Sequence, residues 1–521
     1  MRLLSPDCLA DRLAAVTSGG RLDRLAAALL LALASACGAG PTIPGPGGPI
    51  GPDPDVVPPI VREFRGLWTA TVANIDWPSR AGLTAGEQRA ELQSIMDRAK
   101  SAGMNAIVLH VRPAGDALYR SPHEPWGRML TGTQGVDPGY DPLEFAVAEA
   151  HQRGLELHAW VNPFRAGNTA DSSSLAPLHL FHTRRDLVRV YGSQLWMDPG
   201  ESEVHDHSMR VIRDIVARYD VDAVHLDDYF YPYPQSAPGG GTLAFPDAAA
   251  YARDGGSASL GDWRRANVDR FLERLYGEVH AEKPWVRVGI SPFGIWRPGN
   301  PAGIAGLDAY SAIYADARKW IVNGWLDYLA PQLYWAIDPP AQSYTALLGW
   351  WQQQNPMARF VWPGIATYKL YEGTPRYTTG EVVNQVKAAR DRRTGGVLFY
   401  NTTTTITRNG GEVASALKFE VFGQPALSPA TTWLDATVPP APTITGVSTT
   451  AGWRATLASS GEPVRFYHVR YRAGTTWTTQ VISGSTTTLT LPSVAGSAID
   501  WVVVNAIDRV GNASPDATWR N

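Results

Sequence analysis

Between Arg65 and residue 420 the chain repeats one pattern eight times: a short run of period two, then a longer segment of period 3.6. The strand-like runs are Gly66–Asn74, Asn105–Arg112, Leu155–Asn162, Val221–Asp227, Val286–Ser291, Leu326–Tyr334, Arg359–Ile365 and Gly396–Asn401. Amphipathic segments follow them near 84–102, 142–153, 204–219, 262–281, 311–322, 341–353, 380–392 and 410–418. Strands that alternate with helices must lie parallel, and eight units over roughly 350 residues is the count of a closed (β/α)8 (TIM) barrel. A doubly wound sheet is the alternative, but no Gly-x-Gly-x-x-Gly follows the first strand.

One run stands out. Val221–Pro234 reads VDAVHLDDYFYPYP, an apolar stretch that ends in two adjacent carboxylates and an aromatic, proline-punctuated collar. Side chains alternate across a strand, so Val224 and Leu226 face one side and Ala223, His225 and Asp227 the other. With the apolar side against helices, Asp227 points into a barrel mouth, while Asp228 sits where the pleat gives way to a turn. A lone loop Asp usually caps a turn or helix; a pair on a His-x-Asp-Asp tip points to chemistry. The other strands divide the same way. His110 and Arg112 oppose Ile107, Leu109 and Val111; His158, Trp160 and Asn162 oppose Leu157, Ala159 and Val161. Arg287, Gly289 and Ser291 oppose Val288 and Ile290; Tyr328, Gln332 and Tyr334 oppose Leu329 and Leu333. An interior this polar is not a plain core, because each unpaired buried polar group costs about 1–3 kcal/mol.

The flanks have other characters. Arg21 and Arg24 precede the apolar run Leu25–Ala36, too short to span a bilayer but suited to an export signal. Residues 1–37 thus read as a signal peptide whose end, Leu33-Ala34-Ser35-Ala36-Cys37-Gly38, resembles a bacterial lipobox with Cys37 as the lipidated residue; plain cleavage near Ala36 is the alternative. Residues 38–60, rich in Gly and Pro, read as a disordered tether, residues 61–422 as the barrel, and residues 423–442, with five prolines, as a linker. Residues 443–521 change to short Val/Thr/Tyr-rich strands, such as Arg465–Arg472 and Ile499–Ala506, with Gly/Ser turns, which suit an all-β sandwich. Its ending resembles the last strand of a fibronectin type III module. Both cysteines, Cys8 and Cys37, precede the folded part, which excludes a disulfide framework or a cysteine zinc site there. With 46 basic and 49 acidic residues there is no basic field for nucleic acid. The 19 Trp and 20 Tyr suit sugar rings, which stack on aromatic faces.

Residues 62–420 resemble the bacterial glycosyl-hydrolase-like family ten. The carrying motifs are Glu63-Phe64-Arg65-Gly66-Leu67-Trp68, Asn74-Ile75-Asp76-Trp77-Pro78-Ser79, Val111-Arg112-Pro113-Ala114-Gly115-Asp116, Ala159-Trp160-Val161-Asn162-Pro163, Asp227-Asp228-Tyr229-Phe230-Tyr231-Pro232, Ser291-Pro292-Phe293-Gly294-Ile295-Trp296-Arg297 and Pro331-Gln332-Leu333-Tyr334-Trp335. The resemblance implies a (β/α)8 glycosidase of the bacterial envelope, exported and held to membrane only through a lipid. It also brings forward peptide-free peptidoglycan strands as a substrate.

Glycoside hydrolysis needs one group to protonate the leaving oxygen and one carboxylate to attack or to activate water. Asp227 is the first candidate for the anion, steadied by His225 and by Arg112 or His158; Asp228 is the next, as acid or support. Asp338, after strand six, leads for the second carboxyl by analogy with α-galactosidase-related barrels, with Asp116 and Glu372 as contenders. Trp68, Trp77, Trp160, Tyr229, Tyr231, Tyr334 and Trp335 are candidates for stacking on sugar. Arg112, Asp116, His158, Asn162, Arg165, His225 and Gln332 are candidates for polar contacts to it, and Arg165 and Arg297 for a lactyl carboxylate. The scheme needs no cofactor or metal. Two other classes share the features: a catalytically silent glycan-binding scaffold, and a metal-dependent deacetylase with His158, His225 and Asp227 as ligands.

Overall fold

The computed structural model describes residues 53–373, 376–449, 452–494 and 496–521; the segment 1–37, read from sequence as an export signal ending at Cys37, lies outside them. Eight parallel strands form the ring: β1 (Phe64–Thr69), β2 (Ala106–Arg112), β3 (Glu156–Val161), β4 (Ala223–Leu226), β5 (Arg287–Ile290), β6 (Tyr328–Leu329), β7 (Phe360–Val361 with Gly364–Ala366) and β8 (Gly396–Tyr400). Each pairs with the next, and β8 returns to β1. β7 comes in two pieces because Pro363 has no N–H for a ladder. Its first piece pairs with β6 and its second with β8, and the backbone carries the closure: Gly364 N–H donates to Pro331 O at 2.9 Å, and Leu398 N–H to Pro363 O at 3.0 Å.

The outer layer is α1 (Ala85–Ser101), α2 (Pro142–Gln152), α3 (Ser202–Arg218), α4 (Leu260–Glu282), α5 (Ala317–Asn323), α6 (Tyr344–Gln353), α7 (Thr379–Asp391) and α8 (Glu412–Glu420), one after each strand. The period-two reading expects an apolar face under the helices and a polar face inside the ring; the first is found, and the inner face also holds an aromatic cluster of its own. Ile107, Leu109, Leu157, Val224, Leu226, Val288, Ile290 and Leu329 belong to the cluster under the helices. Phe64, Trp68, Val108, Trp160, Tyr328 and Trp362 fill the ring from within. Phe64 and Trp362 stack at 3.9 Å between centroids. Filling the ring with rings demands gaps elsewhere: a Cβ on Gly289 would stand 1.9 Å from Tyr328 Cζ, so only glycine fits there.

Other elements also differ from the sequence reading, and the strand expected over Leu326–Tyr334 is only Tyr328–Leu329. The first strand stops at Thr69 rather than Asn74, because Asp76 turns the chain: its Oδ2 accepts from Ala70 N–H and its Oδ1 from Thr403 N–H, each at 2.8 Å. Ala73 and Asn74 take left-handed backbone in that turn. The helix expected over 311–322 is two pieces, Ala309–Ala312 and α5, because Tyr314 is left-handed and Asp316 caps α5 through Lys319 N–H.

The C-terminal part is two antiparallel sheets. With β9 (Thr443–Thr449), β10 (Gly452–Ala458), β11 (Phe466–Ala473), β12 (Thr476–Ser483), β13 (Thr488–Pro492), β14 (Ile499–Ile507) and β15 (Ala517–Arg520), their orders are β9-β10-β13 and β12-β11-β14-β15. Trp453, Val469, Leu491, Val502 and Val504 form their shared core. This part docks on the N-terminal ends of the barrel strands. Leu427, Phe466, Val481 and Ile507 make an apolar patch there. Segment 423–442, read as a linker, is laid along the same face: Arg62 bridges to Leu427, and Trp433 Nε1–H donates to Asp327 Oδ1 at 2.8 Å. The tether read as 38–60 ends before Pro58, whose carbonyl accepts from Arg470 at 2.7 Å.

The centre of this contact is Arg465, which donates to Asp222 at 2.5 Å and Asp220 at 3.1 Å and also meets His151. Both Arg465 and Asp222 are buried, so removing the arginine strands a charge. Arg465→Ala is expected to cost about 3–5 kcal/mol in denaturant unfolding and to speed proteolysis near residues 423–442.

Candidate active site

The C-terminal mouth of the ring holds a cavity of about 230 Å³, lined by Trp68, Trp160, Asp227, Asp228, Tyr229, Tyr233, Ser291, Gln332, Tyr334, Tyr368 and Tyr400. That is below the roughly 300–1,000 Å³ of drug-sized pockets, room for one small ring with the rest of a polymer outside. The carboxyl pair sits just past β4, where the strand breaks into a bend and both side chains turn inward. Asp227 Oδ1 accepts from Tyr229 N–H and its Oδ2 from Trp160 Nε1–H, each at 3.1 Å. Asp228 Oδ2 accepts from the Tyr233 hydroxyl, and the Gln332 amide also steadies it. Gln332 is fixed in turn by its donation to Ser291 O at 3.0 Å.

Both carboxyls are nearly out of water, 5% and 3% exposed. Burial first, and then the Asp228 charge, push Asp227 up to about 7. Burial likewise pushes Asp228 upward. Each carboxylate's charge opposes ionisation of the other, so the two ionisations are linked. Arg165 offsets the charge from the side. Its guanidinium lies 3.7 Å over the Tyr229 ring, and its Nε has no hydrogen-bond partner. A three-stranded antiparallel sheet in the β3–α3 connection (Arg165–Gly167, Val188–Tyr191 and Gln194–Met197) carries it there.

Beneath the cavity a hydrogen-bond chain runs down the ring. Trp68 Nε1–H donates to His225 Nε2 at 3.0 Å, so His225 carries its proton on Nδ1 and gives it to the Tyr328 hydroxyl at 2.9 Å. Tyr328 then donates to His158 Nδ1 at 2.8 Å, and His158 Nε2–H to Glu156 at 3.1 Å, where Arg287 pairs. Burial holds both histidines below their usual range. Beside this chain His110 stacks on Trp160 at 3.8 Å, and both donate to Asn162 Oδ1.

The ring thus brings together Asp227, Asp228, Trp68, Trp160, Tyr229, Gln332 and Tyr334, and sets His225, Asn162 and Arg165 against them. The remaining sequence candidates stand elsewhere. His158 is deeper in the chain just described and, like Arg112, does not touch Asp227; His225 serves Trp68 instead of the carboxylate. Arg112 is sequestered by Glu124, at 2.7 and 2.5 Å. A register shift in β2 between His110 and Arg112 turns it off the inner face. Asp116 is buried under Ala114 N–H and Gln134, and burial raises it to about 6. Tyr231 packs on Phe245 and Tyr314, and Trp335 on Phe293. Trp77 lies in the core under the helices with its indole on Gln88 O. Arg297 pairs with Asp308 at 3.5 Å. Asp338 and Glu372 are exposed on their loops, outside the lining. Tyr233, Ser291, Tyr368 and Tyr400 are lining residues that sequence reasoning did not select. Tyr233 belongs to the aromatic collar and Ser291 to the inward face of β5, so both had a signal; Tyr368 had none.

A closed parallel ring whose C-terminal mouth sets buried carboxyls among indoles and phenols has the form of a barrel glycosidase. Comparison with known proteins agrees. The family model described as glycosyl hydrolase-like 10 matches residues 63–378. Glycosyl hydrolase YngK of Bacillus subtilis (strain 168) is 39% identical over 400 residues, 74% of this chain and 77% of that protein. Glycosyl hydrolase DigH of Escherichia coli (strain K12) is 37% identical over 333 residues, 60% and 74% of the two chains. Among solved structures, the glycoside hydrolase domain of PgaB (BpsB) from Bordetella bronchiseptica superposes with a TM-score of 0.46 at 14% identity, over 69% of this chain and 99% of that one. The chain belongs to the glycosyl hydrolase-like 10 family and is a glycosidase.

The internal chain gives a test. Tyr328→Phe removes the hydroxyl between two buried histidines. It is expected to cost about 1–3 kcal/mol of stability and to red-shift Trp fluorescence as the Trp68 indole loosens, a shift that Tyr314→Phe does not reproduce.

Proposed function

We propose that the protein hydrolyses O-glycosidic bonds in a cell-envelope or extracellular polysaccharide, with peptide-free peptidoglycan strands as the first substrate to try, and that Asp227 and Asp228 supply the acid/base chemistry. The observation that carries this is the carboxyl pair: two acids share one buried site, so near neutral pH one is protonated and one ionised without any further acid. The protonated carboxyl gives its proton to the leaving oxygen, and the ionised one stabilises positive charge growing at the anomeric carbon. Trp68, Trp160 and Tyr229 offer ring faces to the sugar. Gln332, held by Ser291 O, steadies Asp228, and the unpartnered Ser291 hydroxyl is available to the substrate. Arg165 makes no ion pair among the described residues and keeps Nε unpartnered, which suits a substrate acid group such as a lactyl carboxylate. The export signal ending at Cys37 supports an envelope address, with lipidation there as the tether.

Incubation with peptide-free peptidoglycan strands and a panel of neutral polysaccharides, followed by mass spectrometry of the products, tests the reading. Wild type is expected to shorten the strands. Asp227→Asn and Asp228→Asn are each expected to lose at least about 10²-fold in kcat with unchanged circular dichroism. A silent scaffold would bind glycan and release no new reducing ends.

The pH profile follows from the pair. The transferable proton is lost as pH rises through the upper ionisation, near 7, so kcat is expected to fall above that value. At acid pH a second proton removes the anion, giving the other limb of a bell. Removing one carboxyl should erase the bell in whatever activity remains.

A further inference from the structure

The cavity has a chemical asymmetry. Its two carboxyls enter at consecutive positions of one strand tip, after β4. Its other lining residues, among those described, offer indoles, phenols, one hydroxyl and one amide. Glycosidases that use an enzyme nucleophile, or a water activated by an enzyme base, need carboxyl groups flanking the anomeric carbon from two sides. In a ring of eight, β8 stands across the mouth from β4. From there round to β6 the wall is tyrosine: Tyr400 at the end of β8, Tyr368 after β7 and Tyr334 after β6, with Tyr334 and Tyr400 stacked at 5.9 Å and Tyr368 edge-on to both. Their hydroxyls have no hydrogen-bond partner among the described residues. The acids that follow β6 and β7, Asp338 and Glu372, are on the surface.

On the reading that this is a polysaccharide hydrolase, the geometry points to a nucleophile that belongs to the substrate: the carbonyl oxygen of a 2-acetamido group on the sugar whose glycosidic bond is cut. The substrate class is therefore glycans with a 2-acetamido-2-deoxy sugar at that position. The protonated carboxyl of the pair gives its proton to the leaving oxygen as the bond from C1 to that oxygen breaks. The acetamido carbonyl oxygen forms a bond to C1 and closes a five-membered oxazolinium ring, and the neighbouring carboxylate accepts a hydrogen bond from the amide N–H. Water then adds to C1 and gives a proton to the carboxylate that had acted as acid. The C1–oxygen bond of the ring breaks, the acetamide is restored, and the product keeps its anomeric configuration. No bond to the protein forms, so one wall with two acids is sufficient. The free phenol hydroxyls across the mouth are donors suited to holding the acetamido carbonyl over C1.

The test uses peptide-free peptidoglycan strands and the same strands de-N-acetylated and re-acylated with mono-, di- or trifluoroacetyl groups. Fluorine weakens the carbonyl nucleophile without greatly changing its size. The expected result is a stepwise fall in kcat along the series, at least 100-fold by trifluoroacetyl, with retained configuration in NMR of the first product. Equal kcat across the series, an intact mass raised by a covalently held sugar, or cleavage of a polysaccharide without amino sugars overturns the inference and leaves the glycosidase standing. Cleavage of none of the glycans overturns the polysaccharide reading and the inference with it.

Discussion

The interior of this barrel depends on one polar line, Trp68–His225–Tyr328–His158–Glu156, that runs from the cavity floor to the base of β3. An indole N–H can only donate, and this fixes the direction of every later bond: each group in the line has one proton to give and one lone pair to fill. The line replaces what would otherwise be four buried, unsatisfied polar groups in the middle of an apolar ring. It also keeps both imidazoles neutral, since a second proton on His225 would repel Trp68 and one on His158 would repel Tyr328. Burial, which holds both imidazoles below their usual range, favours the same neutral forms that this bonding requires.

Above that floor the protein maintains an expensive arrangement. Two acids a single peptide apart are taken out of water, and their raised ionisation is itself a cost in stability, one that grows as pH rises above the ordinary carboxylate range. Four donors (Trp160, Tyr229 N–H, Tyr233 and Gln332) and the nearby Arg165 hold the remaining charge. Where charges were simply to be buried for structure, the chain does it differently. Glu124 is held well below the usual carboxylate range, against a burial that raises it, by Arg112 and His207. The contrast separates a carboxyl pair raised toward neutrality from a scaffold ion pair held fully ionised.

Local periodicity carried the ring and the inward set of β3, β4 and β5, because a strand's alternation depends only on its own residues. It also placed Trp160 on the inner face of β3, and Asp227 and Gln332, just beyond the ends of β4 and β6, keep the inward parity of His225 and Tyr328. It failed where the backbone departs from that parity. The shift in β2 takes Arg112 to Glu124, and nothing in Val-Arg-Pro announces it. Tyr368 lies in a short helical turn after β7 and reaches the cavity only through closure of the ring, a meeting of distant segments that one sequence does not display. Asp338 rested on analogy with other barrels, and its loop turns outward.

The docking of the C-terminal sheets on the N-terminal ends of the strands has a geometric consequence. Pro58 is bonded to that same module, so the chain enters the fold at the back of the barrel. The cavity opens at the opposite end of the ring, so a long strand laid across that mouth and the C-terminal sheets occupy opposite poles of the barrel.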